Sequence, residues 1–123
     1  MGRSPRLVTV AAAACAALAL GACGSEGIQL AEDDPNYEGA RIFNENCAGC
    51  HSLDVVGAYG SNTNVTSREV KDGPNFNDRE ETEEEVLYAI RNGGFSSGPM
   101  PQNIVTGEEA EKVAAFVAEY SGG

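Results

Sequence analysis

Cys47-Ala48-Gly49-Cys50-His51 puts two thiols three positions apart and an imidazole directly after the second. Cysteines at this separation lie about one helical turn apart. Both can therefore add to the two vinyl groups of a haem while the chain brings the histidine nitrogen to the iron. The thioether at Cys50 pins the backbone, so that His51 must face the metal. Two other chemistries use paired cysteines. A redox dithiol opens a helix after a strand in a βαβ pattern, whereas here a helical pattern runs into the motif from its N-terminal side. A structural zinc ion needs four nitrogen or sulfur ligands, and the remaining cysteines are Cys15 and Cys23. The spacing points to covalent haem attachment.

Those two cysteines fall in or beside an export segment. Arg3 and Arg6 precede an uncharged run, residues 7–22, rich in alanine and leucine. It is short for a membrane span, which takes roughly 20 apolar residues, and suits a signal peptide. The run closes on Leu20-Gly21-Ala22-Cys23, which resembles a bacterial lipobox. Residues 1–22 are then a lipoprotein signal peptide, and Cys23 is the lipidated new N-terminus. An ordinary cleaved signal followed by an incidental cysteine is the other reading, because small residues precede that cleavage site too. Cys15 leaves with the signal either way, so no pair is left for a disulfide.

The mature chain, residues 23–123, is 101 residues long, enough for one small domain. It carries 6 basic against 19 acidic side chains, a net charge of minus 13. So acidic a chain does not bind nucleic acid electrostatically. It meets partners through a basic patch on their side, or through a small apolar rim of its own. Residues 23–34 are polar and lack helical periodicity, and so are expected to form a lipidated flexible tether. Its 11 positions after Cys23 reach about 35 to 40 Å when extended. Ile28 and Leu30 are the two residues that could instead pack on the domain.

The domain expected over residues 35–121 must hold the haem motif in place. Asp33-Asp34-Pro35 offers an N-cap with proline at the first helical position, opening a helix over 36–47. Tyr37, Ala40, Phe43 and Cys47 make its apolar stripe, and Gly39, costly in a helix interior, sits beside that stripe. Residues 52–78 are rich in Gly, Asn, Ser and Thr, and a loop so long suggests a chain that wraps a prosthetic group. Val55, Val56, Tyr59, Val65 and Phe76 are its apolar residues available to line a pocket. Arg68, Lys71 and Arg79 are half of the mature chain's basic residues, and suit either a haem propionate or solvent.

Farther on, Thr82-Glu83-Glu84-Glu85 is a capping box that opens a helix with Val86, Leu87 and Ile90 buried, closed by Asn92-Gly93-Gly94. Calcium binding by these glutamates lacks the loop spacing it needs. Thr106-Gly107-Glu108-Glu109 is a second box, opening a helix to Tyr120 with Val113, Phe116, Val117 and Tyr120 on one face. Between the two helices lies Gly98-Pro99-Met100-Pro101. Met100 is the mature chain's single methionine, a poor core filler in such a loop, and the prolines hold its sulfur in place.

Four features in this order resemble the class I c-type cytochromes over residues 35–120: the CxxCH motif, a Gly-Pro loop, a methionine loop and a terminal helix pair. The resemblance implies an all-α class I cytochrome c fold, with N- and C-terminal helices crossing at Gly39 and Phe43 and long loops wrapping one covalent haem c. It implies His51 and Met100 as iron ligands. Gly73-Pro74-Asn75-Phe76 resembles the family's Gly-Pro-x-Leu loop, whose proline carbonyl accepts a hydrogen bond from the ligand histidine; it departs in carrying phenylalanine at position 76, which is compatible with haem packing, and the same residues also suit a simple turn. Asn103 resembles an asparagine that hydrogen-bonds the methionine loop in small bacterial members. The implied function is single-electron transfer by a monomer between membrane-bound partners, such as a quinol-oxidising complex and a terminal oxidase. The lipid anchor would hold it at the outer face of the cytoplasmic membrane. A haem enzyme or gas sensor with a labile sixth ligand is the alternative.

Overall fold

The computed structural model of this chain describes residues 27–61 and 72–123. The segment expected to be a signal peptide, Cys23, Val65, Arg68 and Lys71 lie outside the described residues. Three helices carry the architecture: α1 (Tyr37–Asn46), α2 (Glu83–Asn92) and α3 (Gly107–Tyr120). α3 packs on both of the others.

The crossing of α1 and α3 depends on Gly39. A Cβ there would lie 2.4 Å from the Lys112 carbonyl oxygen and 2.7 Å from Phe116 Cβ. The absent side chain lets the two backbones touch, which explains a residue that weakens an isolated helix. Phe43 and Phe116 seal the crossing edge to face, with ring centroids 5.7 Å apart. α1 buries Gly39, Ala40, Ile42 and Phe43, so Ile42 joins the expected stripe while Tyr37 is only half-buried. α3 buries Ala110, Val113, Ala114, Phe116 and Val117.

Helix starts differ from expectation at two of three places. The Thr82 box forms completely: its hydroxyl accepts the Glu85 N–H, and the Glu85 carboxylate accepts the Thr82 N–H at 2.9 Å. α1 starts at Tyr37 with Asn36 as an N-cap that makes no side-chain bond. Asp34 closes the preceding turn instead, accepting the Asn36 N–H at 2.7 Å. Thr106 also makes no capping bond. The reason is Gly107, whose φ of +58° turns the chain away from the helical geometry a box requires at that position.

The segment after the haem motif is less irregular than its composition suggests. A short antiparallel hairpin forms between β1 (Ser52–Leu53) and β2 (Ala58–Tyr59), joined by a 3-10 turn at Asp54–Val56. The turn drives Val56 into the core, and Tyr59 faces solvent, 73% exposed. The expected tether also differs in its described part. The Gln29 N–H donates to the Val55 carbonyl at 2.8 Å, and Ile28 and Leu30 pack against the core. Residues 27–30 thus pack with the domain, although they fall before the expected boundary at residue 35.

Candidate haem site

The haem motif hangs from the end of α1. The Cys47 N–H donates to the Phe43 carbonyl at 2.7 Å, and the N–H groups of Cys50 and His51 return to the Cys47 carbonyl at 3.1 and 3.0 Å. This extra turn sets both thiols and the imidazole on one wall of a cavity of about 470 Å³. Residues 73–76 run alongside the motif, with the Gly73 N–H on the Cys50 carbonyl and the Phe76 N–H on the Ser52 carbonyl. Ser61 fastens them, its hydroxyl donating to the Gly73 carbonyl at 2.8 Å.

That pairing delivers the Pro74 carbonyl to His51 Nδ1 at 3.0 Å. A carbonyl only accepts, so Nδ1 carries the proton and Nε2 keeps its lone pair. Phe76 stacks on the imidazole at 4.6 Å and 9°. Gly73 lies so close that a Cβ would meet His51 Cε1 at 2.4 Å. Burial, with a smaller contribution from the Arg79 charge, holds the imidazole below its usual range, while the Pro74 bond opposes this. His51 is therefore neutral at pH 7, the form that ligates a metal.

The methionine loop contributes to the same cavity. Met100 is half-buried and lines the same space as Cys47, Cys50 and His51. Gly93 ends α2 at φ +73°, so close to the loop that a Cβ would lie 2.8 Å from the Met100 carbonyl oxygen. A Cβ on Gly94 would stand 3.9 Å from Met100 Sδ. Phe43, Val86, Ile90, Ile104, Val113 and Val117 supply apolar walls.

Several placements depart from expectation. Among the loop's apolar residues, Phe76 lines the cavity, whereas Val55, Val56 and Tyr59 do not. Asn103 is exposed, and its side chain makes no hydrogen bond among the described residues. Its backbone N–H donates to the Ile90 carbonyl at 2.7 Å, and it takes a left-handed φ of +53°. It thus anchors the methionine loop through its main chain and not through its amide. Glu81, read only as part of an acidic run, is buried, pairs with Arg79 and lines the cavity with it. Gly122 does more than end the chain, since its N–H holds the Phe76 carbonyl at 2.8 Å. Neither role leaves a periodic signal in the sequence.

These residues fit haem. The space is largely apolar and is lined by two thiols and an imidazole, and Gly73 lets its loop close on that imidazole. They fit a redox dithiol poorly. Burial, with a smaller effect of the nearby Cys50, pushes the Cys47 thiol up to about 12, whereas a reactive dithiol needs a depressed value. Among the described residues no group of three or more His, Cys, Asp or Glu gathers to hold a bare metal ion.

Comparison with known proteins agrees. The family described as "Cytochrome C oxidase, cbb3-type, subunit III" matches residues 35–117. Cytochrome c-551 of Bacillus subtilis (strain 168) is 29% identical over 107 residues, 81% of this chain and 83% of that protein. The crystal structure of the c-type cytochrome SorU from Sinorhizobium meliloti is similar with a TM-score of 0.56 at 35% identity, covering 74% of this chain and 95% of that one.

Proposed function

This chain belongs to the class I c-type cytochromes and carries haem c bound covalently through Cys47 and Cys50; from that premise we propose an electron carrier whose iron is held between His51 and Met100. Haem c supplies a one-electron Fe(III)/Fe(II) couple. The observation that carries the reading is that His51 and Met100 line one apolar cavity. His51 and Met100 would together hold the iron, which would leave no coordination position for a substrate.

The chain's own residues tune the couple. The Pro74 carbonyl keeps the proton on His51 Nδ1, orients the ring and raises its basicity. The Met100 thioether, as an iron ligand, would raise the potential. The apolar walls exclude water from the iron's surroundings.

The proposed donor is a quinol-oxidising complex and the acceptor a terminal oxidase; the oxidase named in the matching family's description supports the latter. The carrier acts as a monomer at the outer face of the cytoplasmic membrane, anchored by lipid on Cys23. Among the described residues no helix is long and apolar enough to cross a membrane. The anchor raises the effective concentration of carrier at its partners.

Mixing the reduced holoprotein with carbon monoxide tests the reading. A carrier binds the gas slowly and to a small extent. Rapid, saturating binding points to a haem enzyme or gas sensor and overturns it.

A further inference from the structure

The segment before α1 bears on how the domain meets its membrane. Gln29 is tied twice to the 3-10 turn, through its N–H to the Val55 carbonyl at 2.8 Å and through Nε2 to the Asp54 carbonyl at 3.0 Å. Gly27, at φ +117°, fits where a Cβ would lie 2.8 Å from the Val56 carbonyl oxygen. A Cβ on the facing Gly57 would reach Gly27 Cα at 2.8 Å. Two glycines in close contact, two hydrogen bonds and the side chains of Ile28 and Leu30 dock the segment on the hairpin side of the domain.

We propose that residues 27–30 are a docking strap that turns the hairpin side of the domain, with exposed Tyr59, toward the lipid headgroups of the anchoring membrane. The proposal rests on lipidation of Cys23. Only residues 24–26 lie between Cys23 and docked Gly27, a leash of about 14 Å at full extension. A domain of about 100 residues has a radius of gyration near 13 Å, hence a diameter of about 34 Å. A leash under half that diameter cannot let the far side reach the membrane. An undocked leash of about 40 Å could. Tyr59, 73% exposed on β2 two residues after Gly57, has the amphipathic ring favoured at headgroup level.

The test uses the exported, lipidated holoprotein on vesicles of phosphatidylcholine and phosphatidylglycerol containing a nickel-chelating lipid. Because Cys47 and Cys50 are thioethers and Cys23 is acylated, Tyr59→Cys and Glu84→Cys each offer a single thiol for a nitroxide. Glu84 is exposed on α2, whose main packing partner is α3. The nickel lipid is expected to relax the label at position 59 more than that at 84. Ile28→Asp, which undocks the strap, should remove the difference. If that variant fails to accumulate holoprotein, a ten-residue Gly/Ser insertion after Ser25 lengthens the leash to about 49 Å without touching the domain and should do the same. Equal relaxation at both positions in otherwise unaltered protein overturns the strap. Mass spectrometry of the N-terminus separates this from loss of the premise: an unmodified terminus sinks the lipid anchor, whereas a lipidated chain with equal relaxation sinks the orientation alone.

Discussion

At the scale of single residues, the site depends on how near a backbone carbonyl can come to an imidazole. Gly73 allows the approach, since a Cβ would overlap His51 Cε1 at 2.4 Å. Gly73→Ala is therefore expected to push the Pro74 carbonyl off His51 Nδ1 or tilt the ring. Holoprotein yield should fall, and the reduction potential of what remains should shift, because the hydrogen bond that sets histidine basicity is weakened. A potential and yield equal to those of the parent would show that the loop yields without disturbing the ligand. The His51–Pro74 pairing was legible in sequence because Gly-Pro follows the motif in a known order. Phe76 stacking on the imidazole was only partly so: the residue stood out as apolar, but nothing in a string of letters gives the 4.6 Å ring contact.

Elements decide whether those residues meet. At Gly39 two effects of opposite sign compete. Alanine gains about 1 kcal/mol of helix propensity, but its Cβ overlaps the Lys112 carbonyl oxygen at 2.4 Å, a backbone atom that cannot rotate away. Overpacking of this kind costs about 1–3 kcal/mol, so Gly39→Ala should lower Tm, by roughly 4–8 °C for each net kcal/mol lost. A raised Tm would mean that α1 and α3 cross less tightly. The Thr82 cap gives a pH-dependent case. Its hydrogen bonds hold the Glu85 carboxyl below the usual range. A depressed carboxylate contributes stability above its unfolded pKa and loses it as pH falls through the folded value. Thr82→Ala should cost about 1 kcal/mol at neutral pH, and the gap should narrow in acid; thermal melts at several pH values check this. Helices were readable because burial repeats along them. The hairpin was not, since two-residue strands have no period. The Thr106 box failed because the same glycine that fits a box by sequence adopts φ +58°. The packing of residues 27–30 was only partly legible: Ile28 and Leu30 stood out as apolar, but the backbone bond to Val55 and the Gly27–Gly57 contact left no signal.

The whole molecule is an acidic body around one apolar cavity. With a net charge of minus 11 over the full sequence, encounter with a basic acceptor should be steered electrostatically. Raising ionic strength from 0.01 to 0.15 M shortens the screening length from about 30 to about 8 Å, and the second-order electron-transfer rate should fall by about tenfold or more. A rate indifferent to salt would place docking on an apolar rim instead. At this scale the sequence announced the fold through the order of its motifs, while the burial of Glu81 and the Gly122 bond to Phe76 emerged only once distant segments were side by side. The central claim, a carrier with His51 and Met100 on the iron, meets its most direct test in the visible spectrum of the oxidised holoprotein. The account predicts a low-spin haem with the weak far-red band of methionine-to-iron ligation, lost in Met100→Ala. A high-spin spectrum, or a far-red band that survives that substitution, would contradict it.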